Sequence, residues 1–215
     1  MFNDKFSLTQ AVLNGRKTMT RRIIEIDECV RFPIIRFRPL ENWEKKVVNP
    51  NYVFNGHVYA VYNELDLLYH LVKPRYEIGE VVAIAQSYKD SGYSPDSLDR
   101  HPKDLSVRGL MKDSAGWNNK MFVKSYACRH HIKIVNVKIE RLQDISDEDC
   151  LKEGVIHAYT DNNGIKIYHT PHTKRGYLST DIPQQAFEFL INKVSGKGIW
   201  ESNPFVFAYE FRLTD

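Results

Sequence analysis

The sequence is poor in cysteine and has no long apolar run. Cys29, Cys128 and Cys150 are its three cysteines in 215 residues. They are too few and too scattered for a disulfide framework, and no CxxC pair points to zinc, so all three are read as free thiols. No segment approaches the roughly 18 apolar residues of a membrane span. The N-terminal "MFNDKFSLTQ" lacks the basic-then-apolar layout of a secretory signal. A cytoplasmic protein with no membrane partner is therefore expected. Internal repeats, low-complexity tracts and Pro-rich linkers are also missing, so nothing marks a domain boundary. Charge of one sign is nearly balanced: 30 Lys and Arg against 27 Asp and Glu give a net +3. That allows a polyanionic partner without requiring one.

What is present is ordinary globular material, 42% hydrophobic and 27% charged. At this length one domain spanning 1–215 is expected. Three segments read as helices. "SLTQAVLNG" has Ser7 and Gln10 spaced as a capping box and Gly15 as a left-handed stop. "SDEDCLKEG" has Ser146 as N-cap, acids in its first turn and Gly154 as stop. "PQQAFEFLINKVSG" starts on Pro183, where a missing donor is harmless, and carries Ala186, Phe187, Leu190 and Val194 on one stripe. Strand signals lie in "EVVAIAQS", "KMFVKSY", "HIKIVNVKIERL" and "PFVFAYEFRL". Alternation in the last two predicts sheets with one buried face and mainly antiparallel pairing. The fold class is α+β, a small mixed β-barrel with helices at its ends. Turn-rich stretches at about 24–73, 89–116 and 156–182 read as insertions into it, with "DSGYSPDSLDRHPKD" as an exposed loop.

The densest feature is "LNGRKTMTRR", four cations in the ten residues from Leu13 to Arg22. If the chain runs extended after Gly15, Thr18, Thr20 and Arg22 share one face and Lys17 and Met19 the other. A bulge or turn would be needed to bring Lys17 beside Thr20. On composition alone this is a solvated basic edge strand.

Within it stand Gly15, Lys17, Thr20 and Arg22 as GxKxxTxR, and that pattern resembles the signature of the ASCH domain, a PUA-like barrel family with longer prophage and bacterial members. "YEIGEVVAIAQSY", "WNNKMFV", "IKIVNVKIERLQDISDEDCLKEGV" and "IWESNPFVFAYEF" are similar to other family segments and follow in the expected order. One group of small ASCH enzymes hydrolyses N4-acetylcytidine with the Lys and Thr of the signature and a Glu from a later helix. The resemblance implies Lys17, Thr20 and Glu153 in those roles. Ala85 and Gln86 stand where longer members often carry Arg-Glu, and this chain is about twice the length of the small amidohydrolases.

A Thr hydroxyl attacks only when a neighbour takes its proton. Lys17 can do so if burial and the cations Arg16, Arg21 and Arg22 lower its pKa. Glu153, at the negative end of its helix, suits a proton carrier. Further ligand contacts are expected from Gly15, Arg16, Arg21, Arg22, Gln86, Trp117 and Lys120, with Trp200 anchoring the last strand. His157, His169 and His172 read as solvated loop residues, since Pro171 breaks any helix that would align the pair. Neither a metal nor a cofactor is expected. The expected partner is a modified nucleoside or RNA. Two alternatives stay open. One is a non-catalytic RNA-binding module in which Arg16, Lys17, Arg21 and Arg22 hold phosphates. The other is a phage-related protein whose insertions bind another protein.

Overall fold

The two longest alternating segments form the spine of the fold. In a computed structural model the described residues are 2, 4–26, 34–41, 43–44, 56–63, 65, 68–92, 118–120, 123–171 and 177–214. Among them, β1 (Met19–Ile23), β5 (Val81–Ala83), β6 (His131–Arg141) and β10 (Phe205–Leu213) form one antiparallel sheet in the order β1-β10-β6-β5. This sheet curls strongly into a half-barrel. The β6/β10 register slips between Glu210 and Phe211, a bulge of the kind that bends a strand and deepens its twist.

β10 is buried on both faces, not on one as its alternation predicts. Phe207, Tyr209 and Phe211 enter a cluster with Val12, Val61, Val72 and Ile134. Val206, pointing the opposite way, joins Leu142, Ile145, Cys150, Ala186 and Phe187. The second cluster exists because helices cover the face that an open sheet would leave wet.

Those helices are α3 (Asp147–Glu153) and α4 (Pro183–Ser195); α1 (Leu8–Leu13), α2 (Tyr88–Ser91) and α5 (Ile199–Ser202) are shorter. α3 is built as its sequence predicts. The Ser146 hydroxyl accepts from the Asp149 N–H at 3.2 Å, and Gly154 closes it at φ 116°. α4 starts on Pro183 and buries Ala186, Phe187 and Leu190. The capping box expected at Ser7 does not form. A 3-10 turn, Asp4–Phe6, precedes α1 and its closing bond from the Ser7 N–H to the Asp4 carbonyl holds Ser7 at φ 52°, where its hydroxyl makes no cap. Gln10 instead donates to Asn14 at 2.9 Å.

Two strand expectations are corrected. "EVVAIAQS" pairs only over Val81–Ala83, and by Ser87 the chain has turned to cap α2 in a capping box with Asp90. In "KMFVKSY", Ser125–Ala127 is a 3-10 turn closed on Lys124, so β-forming composition yields there to a local hydrogen bond. Two of the regions read as insertions contain sheets. β2 (Ile34–Pro39), β3 (Tyr59–Asn63) and β4 (Leu68–Val72) form one, and β7 (Ile156–Thr160), β8 (Lys166–His169) and β9 (Ser179–Thr180) the other. His169 therefore sits on a strand, its ring 4.8 Å from that of Tyr177, not in a solvated loop. Cys29, Trp117, His172 and the Asp90–Asp104 loop from residue 93 onward lie outside the described residues.

Gly154 ties α3 to the N-terminal segment. A Cβ at this position would meet Leu8 Cδ2 at 3.1 Å and Lys17 Cδ at 3.9 Å, in a backbone conformation that costs side-chain-bearing residues about 1 to 2 kcal/mol. Gly154→Ala should lower the melting temperature by about 2 to 8 °C, whereas Gly164→Ala, with nothing within 4 Å, should cost only its backbone strain. Thermal melts of the two variants compare the steric with the purely conformational effect.

Candidate functional site

The signature segment leaves α1 through a tight turn. Gly15 takes φ 70°, and the N–H groups of Arg16 and Lys17 both donate to the Ala11 carbonyl, at 2.9 and 3.0 Å. The chain then becomes β1, with the Thr18 N–H bonded to the Lys152 carbonyl at 2.9 Å. The end of α3 and the start of β1 are thus joined by backbone before any side chain contributes.

Lys17 is turned inward, only 3% exposed. Its ammonium donates to the Met19 carbonyl at 2.7 Å, the Glu153 carbonyl at 2.7 Å and Glu153 Oε2 at 2.6 Å. An ammonium has three protons, and all are used. Burial pushes the Lys17 pKa down; Glu153 opposes this, while Arg22 and Arg21 push it down further. Arg16, the third cation expected to act on it, is exposed and points elsewhere.

Arg21, expected as a ligand contact, is also buried and is held by carboxylates, while still lining the cavity described below. Its guanidinium reaches Glu140 Oε1, Glu153 Oε1 at 3.1 Å and Asp149 Oδ2 at 3.2 Å, and lies 5.9 Å from the centre of the Phe187 ring. Burial alone would weaken its proton affinity, but Glu153, Glu140 and Asp149 outweigh that and raise it. Lys138 joins from β6, 2.8 Å from Asp149 and 2.9 Å from Glu140. For Asp149 the cost of burial is overcome by Lys138 and Arg21, which hold its carboxyl below the usual range. Cys150, in the same corner, is pushed up to about 12 by burial and is a thiol, not a thiolate.

Lys17, Thr20 and Glu153 line one cavity of about 460 Å³, together with Arg22 and the apolar side chains Phe2, Leu8, Phe187, Leu190 and Val194. The alternation expected for residues 17–22 holds, with Met19 and Arg21 buried together and no bulge in β1. What brings Lys17 and Thr20 to one cavity is different. β1 is an edge strand among the described residues, and the cavity wraps its unpaired edge, so side chains from both faces reach it. Glu153 is buried at 5% exposure and is no ordinary surface glutamate.

Other expected contacts fall elsewhere. The Gln86 side chain accepts from the Arg129 N–H and does not line this cavity. Gly15 and Arg16 form the turn behind it. Lys120 reaches the rim only through its ion pair with Asp4, which does line it. Trp200 packs against Phe187 at 6.1 Å between ring centres, as an anchor beside the last strand. Sequence reading missed Phe2 and Asp4, and the acids Glu140 and Asp149. The alternation of "VKIE" puts Lys138 and Glu140 on one face, but their meeting with Arg21 depends on a three-strand register. Among the described residues no group of three or more His, Cys, Asp or Glu is arranged to hold a metal ion, and no helix is long and apolar enough to cross a membrane.

Comparison of the chain with protein-family models, curated proteins and solved structures gives no match in any of the three. The likeness to ASCH proteins thus rests on the motifs alone.

Removing the Arg21 side chain leaves Glu140, Asp149 and Glu153 facing one another out of water. Breaking a buried ionic set in this way costs about 3 to 5 kcal/mol. Arg21→Ala should lose about that much in urea denaturation, and the exposed Arg16→Ala should change stability by less than about 0.5 kcal/mol.

Proposed function

We propose that the cavity beside β1 binds a nucleoside-type ligand and hydrolyses an N4-acyl amide on a cytosine ring, within a PUA-like barrel. One observation carries this reading. Lys17 and Thr20 from the N-terminal motif, and Glu153 from a helix more than a hundred residues later, border one cavity of about 460 Å³. That volume lies in the range of small-molecule sites, roughly 300 to 1,000 Å³, as does the balance of an apolar wall and a few polar groups. The α4 side chains Phe187 and Leu190 offer a surface for a base, and Lys17, Thr20 and Glu153 the chemistry.

The steps follow from the observed pair. Protonated Lys17 has no lone pair, so the reactive form arises when its proton passes to Glu153 Oε2, 2.6 Å away. Burial favours that transfer by disfavouring the ammonium. Thr20 Oγ1 then attacks the acyl carbon and gives its proton to Lys17. The C–N bond breaks as Glu153 returns a proton to the departing ring amine. Water cleaves the acyl-Thr20 ester, giving one proton to Glu153 while Lys17 reprotonates Thr20. Product is the cytidine plus a carboxylic acid, and the proton left on Glu153 passes back to Lys17, restoring the ion pair. The competing reading, a non-catalytic RNA-binding module, must do without Arg21, whose charge is committed to Glu140, Asp149 and Glu153.

Incubation with N4-acetylcytidine, followed by chromatography for cytidine, tests the proposal. Thr20→Val should abolish turnover, and Glu153→Gln should lower it about 100-fold to 10,000-fold with little change in ligand affinity. Because the reactive form keeps one proton on the Lys17–Glu153 pair and the Lys17 pKa is lowered from 10.5, the rate should fall with rising pH below that value, as the pair loses this proton. No cytidine from the unaltered protein, or full turnover by Thr20→Val, contradicts the mechanism.

A further inference from the structure

A second cavity, of about 560 Å³, adjoins the first. The two share Arg21, Arg22, Ile191 and Ser195. Their lining residues advance together along β1 with its flanking residues and along α4 into α5, from Lys17 and Phe187 in the first to Ile24 and Ile199 in the second, so the cavities form one trough. Odd-numbered β1 residues aim their backbone groups away from β10, because the even-numbered positions 18 and 24 bond to it.

The character of the wall changes along its length. The first cavity holds the groups assigned to chemistry. In the second, Lys73 and Arg75 join Arg22, and Glu25 is the carboxylate set against them among the described lining residues. Arg75 is fixed in place through its backbone. Its N–H donates to the hydroxyl of Tyr209 at 2.8 Å, and Tyr209 is wholly buried in the core. Lys73 lies 3.7 Å from Glu77 in an exposed pair, a contact that yields readily to a stronger anion. Both cations come from the chain that follows β4, so the end of the region read as an insertion, with Arg75 just beyond it, supplies one wall of the trough.

We infer that the second cavity is a phosphate subsite in which Arg22, Lys73 and Arg75 receive the anion, and that the ligand of this trough is a phosphorylated nucleoside, not the bare nucleoside. This rests on the nucleoside reading of the first cavity and adds the part of the ligand that reading leaves open. The base lies against α4 near Lys17 and Thr20, and the sugar-borne phosphate extends past Arg22 toward Lys73 and Arg75. The phosphate belongs either to a free nucleotide or to an RNA strand, and both present the same anion to the same cations.

Calorimetric titration distinguishes the possibilities, with N4-acetylcytidine, its 5′-monophosphate, a short RNA carrying N4-acetylcytidine, and inorganic pyrophosphate as probes. The monophosphate or the RNA should bind about 10-fold to 100-fold more tightly than the nucleoside, the gain expected from hydrogen bonds to a charged group. In Lys73→Gln/Arg75→Gln the ratio should fall toward one and pyrophosphate binding should be lost, with the melting temperature kept as a check on folding. Equal gains for monophosphate and RNA point to a free nucleotide, and a gain for RNA alone to a strand. If nucleoside and phosphorylated forms bind the unaltered protein equally, the subsite is overturned while the nucleoside reading stands. If pyrophosphate binds through Lys73 and Arg75 but no nucleoside binds, the anion subsite holds and the nucleoside reading fails. Absence of both pyrophosphate binding and any phosphate-dependent gain overturns the inference without recourse to variants.

Discussion

The buried ion pair between Lys17 and Glu153 is the contact on which the site depends. It links the segment after the first helix to the end of α3, and both charges sit where water is nearly excluded. A lone charge in that position would cost several kcal/mol, and neither is alone. Lys17 satisfies its three protons on Glu153 and Met19, and the second carboxylate oxygen of Glu153 meets Arg21, which is held in turn by Glu140 and Asp149. Such a set gives modest net stability against an apolar replacement. Its stronger effect is geometric, because each member is correct only if the others are in place.

That geometry has a consequence for reactivity. Arg21 anchors the carboxylates, so the proton on the Lys17–Glu153 pair is the mobile element in an otherwise fixed array. Desolvation presses on Lys17 while Glu153 stabilises its ammonium. The net effect is a Lys17 pKa below its ordinary value, the direction that acid and base work at a buried lysine requires. The edge position of β1 adds the other requirement, since a cavity can form only where no further strand covers the backbone. Strand edges are usually protected against other chains. Here residues of β1 and of α4 line the two cavities together.

Much of this was legible in the sequence, and the reasons differ by element. α3 could be read because its signals are local: Ser146, three acids and Gly154 act within one short stretch. The same locality misled at Ser7, where a preceding turn that the capping pattern does not encode set the backbone. Antiparallel pairing was expected from the alternation of β6 and β10, though not which strands pair, and the burial of both β10 faces was not, because it depends on α3 and α4 arriving from elsewhere. Lys17, Thr20 and Glu153 were named through a motif resemblance, and the structure brings them to one cavity. Arg21, expected as a ligand contact, is a buried ion-pair partner that also borders the cavity. In sequence it is one cation among four, and only the row Arg21–Ala208–Lys138 across three strands puts it against buried acids. Gln86 failed for a similar reason: its partner, the Arg129 backbone, is distant in sequence.

A double-mutant cycle on Lys17→Met and Glu153→Gln, read by urea denaturation, bears most directly on the claim that this pair unites the motif with α3. Two side chains in direct contact within one buried network should couple by about 1 to 3 kcal/mol, so that the second substitution costs far less once the first is made. If the two effects add to within about 0.5 kcal/mol, the residues act independently and the pair does not organise the site.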